Sequence, residues 1–174
     1  MTLTLDTPRL RMRFHDLTDV AFMLALNVDP EVTRFTGDGP VVDEAEARSR
    51  IARLQVQAEA RMGRMVVLDR ASGERLGWCG LKALTDEGQV DLGYRFFRRH
   101  WGKGYATEAS RAALSFGFGE LALPRIVALV AAENAASLRV MQKLGFRSIG
   151  LSTIDGDTGL GFELTREQWL ASTP

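Results

Sequence analysis

Residues 98–107 read Arg-Arg-His-Trp-Gly-Lys-Gly-Tyr-Ala-Thr. The stretch follows a strand-like run at residues 89–97 and leads into a helix-like run at residues 105–118, so its two glycines fall where a helix begins. The first N–H groups of a helix have no partner inside the helix and carry a partial positive charge. Glycines at that point let an anion approach the backbone closely. The stretch therefore predicts a site for a phosphate or diphosphate group, with Lys103 supplying further positive charge.

The glycine loop, residues 102–104, is also compatible with a plain tight turn between a strand and a helix. It lacks the Gly-Lys-Ser/Thr sequence of a P-loop. It half fits the dinucleotide-binding fingerprint, but that fingerprint needs an acidic residue ~20 positions further on, at a strand end. Glu120 lies before the next predicted strand and Glu133 lies after it. A tight turn and an anion site therefore both stay open at this point.

Hydrophobic periodicity outward from the loop predicts the fold. Apolar residues alternate with arginines at residues 9–14, which is typical of a half-buried strand, and a near-continuous apolar run at residues 125–130 predicts a strand buried on both faces. The patterns predict one α/β domain over residues 1–174, with a mixed, mostly antiparallel central sheet of about seven strands and helices on both faces. The predicted strands are residues 9–14, 65–68, 76–82, 89–97, 125–130, 146–153 and 160–164, and the predicted helices are residues 17–27, 43–61, 105–118 and 135–144, with a last turn capped at Thr165.

Composition excludes several classes of protein. The formal net charge of zero argues against a dedicated nucleic-acid binder, and the chain lacks the ~20 consecutive apolar residues of a membrane span. Cys79 is the only cysteine, so no internal disulfide can form, and a reducing cytoplasm fits. The first residues lack the basic and apolar segments of a secretion signal, so a cytoplasmic location is expected. No metal-ligand spacing occurs in the sequence, and no metal is expected.

A second motif follows the predicted buried strand, at residues 134–146. It begins with Asn-x-x-Ser and ends with Lys-Leu-Gly-Phe. Asn134 and Ser137 lie near the start of a predicted helix, at an interval that places both on one side of it. Asn and Ser are leading N-cap residues, and capping is compatible with contact to a ligand. Gly145 is expected to end this helix.

The two motifs together resemble motifs A and B of the GNAT superfamily of N-acetyltransferases: Arg-x-x-Gly-x-Gly at residues 99–104, and residues 134–146. The opening Pro-Arg-Leu-Arg-Met-Arg at residues 8–13 resembles the RimJ/RimL-like branch, which acetylates N-termini of ribosomal proteins. Residues 91–109, from Asp-Leu-Gly-Tyr to Trp-Gly-Lys-Gly-Tyr-Ala-Thr-Glu-Ala, resemble the same branch. The resemblance spans about residues 7–169 and implies a GNAT-like sheet and acetyl-CoA as cosubstrate.

The resemblance also implies where coenzyme A would bind. Backbone amides of residues 102–107 would hold its diphosphate, and the strand end at residues 96–98 would pair with the amides of its pantetheine arm. Asn134 and Ser137 would line the other side of that arm. The full set of implied coenzyme-binding residues is Phe96, Phe97, Arg98, Arg99, Gly102, Lys103, Gly104, Tyr105, Ala106, Thr107, Asn134, Ser137 and Lys143.

Acetyl transfer to an amine requires a proton acceptor, because only the neutral amine attacks a thioester. Asp91 lies near the position where many GNAT enzymes carry Glu, and Asp155 lies where related ribosomal acetyltransferases place an acid. Each has another interpretation: Asp91 as an exposed strand residue or a partner of Arg95, and Asp155 as part of an Asp-Gly-Asp turn. Asp91 is the first candidate for the base and Asp155 the second.

The leaving thiolate needs a proton donor. Ser137 resembles the residue placed for that role in the RimJ/RimL-like branch. GNAT enzymes that use a tyrosine instead place it after the buried strand, where this chain has none. Tyr94 and Tyr105 are its two tyrosines.

The acceptor is predicted to be a protein N-terminal α-amine or, as an alternative, a small-molecule amine such as a polyamine, an amino-sugar antibiotic or an amino acid. A non-catalytic coenzyme A sensor or scaffold is the alternative of another class. Residues 27–40, the second helix and residues 148–161 are expected to determine the acceptor. No nucleic-acid or membrane partner is expected, and the chain would act as a monomer or homodimer.

Three further side chains are expected to play no catalytic part. His15 should lie in a loop or cap a helix, and Cys79 should be a small buried residue. His100 should be a solvated loop side chain, with contact to a phosphate as the alternative.

Overall fold

The computed structural model describes residues 3–36, 41, 43–84 and 88–172. Residues 37–40, within the segment expected to shape the acceptor site, and residues 85–87, between two predicted strands, lie outside the described part. The strands are β1 (Thr4–Asp6), β2 (Leu10–Phe14), β3 (Gly63–Asp69), β4 (Arg75–Ala83), β5 (Val90–Phe96), β6 (Arg125–Val130), β7 (Arg147–Ile154) and β8 (Asp157–Thr165).

All eight strands form one sheet in the order β1-β2-β3-β4-β5-β6-β8-β7. Every neighbouring pair is antiparallel except β5 and β6, which are parallel. The predicted mixed, mostly antiparallel sheet is confirmed, with one strand more than the seven expected. The additional strand is β1, whose three residues are too few to show a period-2 pattern.

Helices cover both faces of the sheet, as predicted. One face carries α4 and α5, whose Ala109, Leu114 and Met141 join the main hydrophobic core. The other face carries α1 and α3, and Leu26 of α1 packs there against Val66 of β3. The helices in the described residues are α1 (Val20–Val28), α2 (Pro30–Thr33), α3 (Glu44–Glu59), α4 (Tyr105–Gly119), α5 (Ala135–Leu144) and α6 (Arg166–Ser172).

Local capping signals set most helix ends. Asp43 accepts a hydrogen bond from the Glu46 N–H at 2.8 Å, and Gly145 ends α5 with a φ of 81°. The helix predicted from residue 17 instead starts with a 3₁₀ turn, Leu17–Asp19, whose N-cap is Asp16. The last turn, predicted at Thr165, extends into the seven-residue helix α6.

Strands β5 and β6 pair at a single described position, Asp91 with Val127. Beyond Asp91 the remaining residues of β5 have no ladder partner on β6 within the described chain. In an antiparallel ladder, the peptide groups of alternate residues point to opposite sides of the strand. The Phe97 N–H donates to Leu76 O of β4 at 3.0 Å, so the peptide groups of Tyr94 and Phe96 point towards β6. The two strands therefore enclose a wedge, lined on its β5 side by backbone groups that face away from β4.

His15 lies in the short loop between β2 and the 3₁₀ turn, as expected, but it is buried there. Its side chain is 3% exposed, and neither ring nitrogen has a hydrogen-bond partner among the described residues. The ring stacks on Phe22 with centroids 6.2 Å apart. Burial lowers the pKa of His15 to about 4, and this effect exceeds the opposing influence of Asp19.

This burial predicts an acid-sensitive fold. Because the pKa of His15 in the folded state lies below its ordinary value of 6.5, the unfolded chain binds the proton first. The contribution of neutral His15 to the free energy of unfolding is complete above pH 6.5. It is lost as the pH falls to about 4, and the total loss is roughly 3 kcal/mol. His15→Phe keeps the stacking and should remove this loss, as measured by urea unfolding at pH 7, 5.5 and 4.

Asp19 provides an internal comparison. Burial would raise its pKa, but hydrogen bonds from Arg13 and Arg75 outweigh burial and lower the pKa to about 2. Its contribution to stability is therefore lost at a lower pH than that of His15. Equal losses of stability between pH 6.5 and 4 in wild type and His15→Phe would contradict the prediction.

Candidate active site

The glycine loop adopts a conformation that requires glycine. Gly102 and Gly104 have φ values of 73° and 82°, in the left-handed region that disfavours side chains. Gly104 is the N-cap of α4, and no side chain caps this helix end in the described residues. The N–H groups of Tyr105, Ala106 and Thr107 in the first turn are thus available to an anion.

Residues 98–103 contribute three lysine or arginine side chains near the loop, and one of them is already paired. Arg98 and Lys103 are exposed and carry no ion pair within the described chain. Arg99 binds Glu74 at 3.0 Å. His100, expected to be solvated, is instead 8% exposed, and its Nε2 contacts the same Glu74 carboxylate at 3.1 Å. Arg98 and Lys103 therefore remain as free positive charges beside the loop.

The end of β5 connects the loop to the wedge. The Trp101 indole N–H donates to the Phe96 carbonyl at 2.8 Å, so one peptide oxygen on the wedge side is already engaged. The Phe96 side chain lies in the main core, whereas Phe97 points to the other face and contacts Phe22 edge-to-face at 5.8 Å. The Arg99 guanidinium stacks over the Phe97 ring at 4.2 Å.

The start of α5 faces the wedge from the β6 side. Asn134 is the N-cap, and its Oδ1 accepts a hydrogen bond from the Ser137 N–H at 3.0 Å. The capping interpretation is thus confirmed for Asn134, while the Ser137 side chain takes no part in the cap. Lys143 lies at the other end of α5, roughly 9 Å from Ser137 along the helix axis, so the fold does not bring the two side chains together.

The Ser137 side chain lies close to Tyr94 of β5. The Tyr94 hydroxyl is buried and makes no hydrogen bond of good geometry among the described residues. Burial raises the pKa of Tyr94 to about 12, and the nearby Ser137 side chain opposes this rise. Buried hydroxyl groups almost always have hydrogen-bond partners, and a catalytic role is one explanation for an exception. No local sequence pattern pairs Tyr94 with Ser137, because they are 43 positions apart and lie on different elements.

Asp91 occupies the position at which β5 and β6 separate. Its carboxylate Oδ2 is bound by the Arg64 guanidinium, and both side chains are 14% exposed. Arg64 also donates to the carbonyls of Gly80 at 2.6 Å and of Asp91 itself at 3.0 Å. The partner of Asp91 is therefore Arg64 and not Arg95, which donates to Asn27.

Asp155 lies in the turn between β7 and β8, as its sequence predicts. Its φ is 55°, and its carboxylate binds Lys82 of β4. Lys82 is the cross-strand neighbour of Asp91, so both candidate acids lie near the same lysine. Neither carboxylate is free of a cationic partner.

A family model described as an acetyltransferase (GNAT) domain matches residues 9–147 of this chain. This chain belongs to the GNAT family.

Relatives and solved structures agree with that assignment. The N-acetyltransferase p20 of Bacillus licheniformis, itself uncharacterized, is 35% identical over 150 residues, covering 85% of this chain and 84% of p20. The FsC-acetyl coenzyme A-N(2)-transacetylase of Aspergillus fumigatus is 28% identical, covering 96% of this chain and 78% of that protein. The ribosomal alpha-N-protein acetyltransferase RimL, solved in complex with coenzyme A, has the same fold, with a TM-score of 0.82 and 16% identity over 95% of this chain and 99% of RimL. As a GNAT acetyltransferase with relatives named N-acetyltransferases, the protein is an N-acetyltransferase, and acetyl-CoA is the acyl donor of the family.

Other potentially reactive groups of this GNAT domain lie outside the wedge. Cys79 is fully buried, as expected, and burial raises the pKa of its thiol to about 12, which makes it a poor nucleophile. In the described ranges, no three His, Cys, Asp or Glu side chains are grouped to hold a metal ion, and no helix is long and apolar enough to cross a membrane.

Proposed function

We propose that this GNAT enzyme transfers the acetyl group of acetyl-CoA to a protein N-terminal α-amine by direct attack, as in the RimJ/RimL-like branch. The proposed coenzyme A site rests on the wedge between β5 and β6. This wedge opens beside an uncapped helix N-terminus at the glycine loop. A diphosphate at the N–H groups of residues 102–107 would continue into a pantetheine arm in the wedge. There the arm pairs with the β5 backbone at Phe96 and has Asn134 and Ser137 on its other side.

The chemistry at the thioester needs no covalent enzyme intermediate. The neutral amine adds to the acetyl carbonyl, and backbone N–H groups on the wedge side of β5 stabilise the oxyanion. The C–S bond then breaks, and its electron pair goes to the sulfur. A proton from the Ser137 and Tyr94 hydroxyl pair converts the thiolate to the thiol. The proton lost by the amine passes to a base or water, and an equivalent proton from water restores the hydroxyl pair.

The ion pairs of both candidate acids favour an acceptor that loses its proton easily. An α-amine with a pKa near ~8 is roughly one quarter neutral at pH 7.5, whereas a lysine amine with a pKa near ~10.4 is about 0.1% neutral. A site whose carboxylates are already bound by Arg64 and Lys82 therefore suits an α-amine better than a lysine side chain. The fold shared with RimL, described as an alpha-N-protein acetyltransferase, supports the same acceptor class.

A small-molecule amine is the second candidate acceptor. It is supported by the relative named FsC-acetyl coenzyme A-N(2)-transacetylase, whose name refers to transfer onto FsC and not onto a ribosomal protein. The non-catalytic sensor or scaffold is not favoured, because the relatives are named N-acetyltransferases.

One panel of acceptors tests the proposal. Transfer from acetyl-CoA is measured to peptides with a free N-terminus, to the same lysine-containing peptides with a blocked N-terminus, and to a polyamine, an amino sugar and an amino acid. We expect acetylation of the free peptides alone. Acetylation of only the small amines would establish the second candidate, and coenzyme A binding without any transfer would establish the sensor.

Asp91 remains the first candidate for the base and Asp155 the second. Arg64 occupies Oδ2 of Asp91, so a proton or a bridging water would bind at Oδ1. We expect Asp91→Asn to lower kcat about 10- to 100-fold with a saturating peptide acceptor, with Asp155→Asn giving a smaller effect. The loss should shrink as the pH rises above ~8 and the α-amine becomes neutral without help.

Rates of the two single variants and the double variant across pH 6.5–9.5 check this expectation. Wild-type kcat at every pH in all three would remove both acids from the mechanism, and amine deprotonation would then take place in bulk water.

A further inference from the structure

The first turn of α4 is fastened to the segment that leads into β2. Glu108 lies in that turn, and its Oε1 accepts hydrogen bonds from the Thr7 hydroxyl at 2.6 Å and from the Arg9 N–H at 3.1 Å. Its Oε2 is bound by the Arg9 side chain through Nε and Nη2, each at 2.6 Å. The Glu108 side chain is 17% exposed and the Arg9 side chain 48%, so solvent reaches the arginine side of this ion pair.

The same guanidinium reaches into the glycine loop. Arg9 Nη1 donates to the Lys103 carbonyl at 3.0 Å, and Cζ lies 4.7 Å from the centre of the Tyr105 ring. Nη2 is 3.4 Å from the place where a Cβ on Gly104 would be. One side chain therefore contacts three successive residues of the proposed diphosphate site.

The bond to the Lys103 carbonyl orients the peptide that follows it. In a trans peptide, the C=O and the next N–H point in opposite directions. With the Lys103 oxygen held on Arg9, the Gly104 N–H points away from Arg9, on the opposite side of the loop. This N–H belongs to the set that the proposed function assigns to the diphosphate.

Glu108 would otherwise work against that anion. Burial would raise the pKa of Glu108, but hydrogen bonds from Thr7 and Arg9 outweigh it, so the pKa is lowered and the group is ionised at neutral pH. A carboxylate in the first turn of α4 lies beside the proposed diphosphate and would repel it if it were not paired.

We propose that Arg9 is a positioning residue for the diphosphate of coenzyme A, which fixes the Lys103–Gly104 peptide and compensates the charge of Glu108. The inference rests on the proposed binding of coenzyme A at the glycine loop. It assigns a role in coenzyme recognition to a residue 93 positions before the loop.

Two acetyl donors distinguish the positioning role of Arg9 from a general effect on the fold. Acetyl-CoA carries the diphosphate, whereas S-acetylpantetheine lacks it and would occupy only the wedge. We expect Arg9→Ala to raise Kd for coenzyme A, measured by titration calorimetry, about 10- to 50-fold, and to leave kcat/KM for S-acetylpantetheine within about twofold of wild type.

The compensation of the Glu108 charge by Arg9 leads to a second prediction. In the double variant Arg9→Ala/Glu108→Gln, the unpaired carboxylate is gone, so the part of the lost affinity for coenzyme A that is due to repulsion should return. Arg9→Lys keeps the charge but should still bind coenzyme A more weakly than wild type, because an ammonium cannot bind Glu108 Oε2 and the Lys103 carbonyl at once as the planar fork does. Arg11→Ala is the matched control, since Arg11 forms a similar ion pair with Asp6 on the same strand pair, away from the loop.

Melting of each variant is measured on the same preparation. Unchanged affinity for coenzyme A in folded Arg9→Ala or Arg9→Lys would overturn the inference, as would an equal loss with both donors. A wild-type protein that uses S-acetylpantetheine but does not bind coenzyme A more tightly than pantetheine would contradict the proposed diphosphate site itself.

Discussion

We expect Gly104→Val to weaken coenzyme A binding at least ~100-fold while the protein stays folded. Valine at a φ of 82° is strained, and relief of that strain would change the loop conformation that presents the first N–H groups of α4 to an anion. The Arg9 guanidinium, 3.4 Å from the Cβ position, would also be displaced. Titration calorimetry with coenzyme A measures the effect, and Gly102→Val, at a φ of 73°, should act in the same direction.

A matched control separates strain from loss of the site. Gly150 has a φ of 84° and open space around its Cβ position, and it lies on the edge strand β7. Gly150→Val should therefore lose a similar stability, about 1–3 kcal/mol, and keep wild-type affinity for coenzyme A. Unchanged affinity in a folded Gly104→Val protein would remove the glycine loop from the coenzyme site.

The second large effect is expected at the hydroxyl pair of Ser137 and Tyr94. If the pair supplies the proton to the thiolate, Ser137→Ala and Tyr94→Phe should each lower kcat about 10- to 100-fold and change Kd for coenzyme A far less. The double variant should be about as slow as the slower single variant, because the two groups act as one unit. Steady-state kinetics with a peptide acceptor, together with calorimetric Kd values, provide the comparison.

Stability distinguishes this catalytic role from a structural one. The cap of α5 is the Asn134 side chain bound to the Ser137 backbone N–H, which alanine retains, so Ser137→Ala should leave the melting temperature almost unchanged. Tyr94→Phe removes a buried hydroxyl without a good partner and should preserve stability or raise it by up to about 1 kcal/mol. Asn134→Ala, in contrast, should cost about 1 kcal/mol.

Two outcomes would contradict the hydroxyl pair. Wild-type kcat in both single variants would show that the thiolate takes its proton from elsewhere. A loss of kcat that follows a loss of melting temperature would assign both side chains to packing. Ser110→Ala is a useful reference, because it removes a buried hydroxyl whose contact is the Cys79 sulfur at 3.6 Å, outside the wedge.

The sequence by itself determined the features that depend on neighbours along the chain. Alternation and apolar runs predicted seven of the eight strands, and the cap at Asn134 and the stop at Gly145 were each predicted within one short segment. The glycine loop at a helix start was likewise readable, because the conformation of glycine and the polarity of a helix end are local properties. These features sufficed to predict the sheet and to indicate a site for an anion.

Only the tertiary structure decided which side chains meet. Arg9 and Glu108 are 99 positions apart, and Arg64 and Asp91 are 27 apart, so no local periodicity connects them. The nearer cation, Arg95, was the expected partner of Asp91, but the side chains of β5 and neighbouring strands meet across the sheet and not along the chain. His15 reads as a polar residue after a strand, yet packing against Phe22 buries it. Two further features depend on how elements distant in sequence pack in space. One is the position of the buried Tyr94 hydroxyl beside Ser137, and the other is the separation of β5 from β6 beyond Asp91.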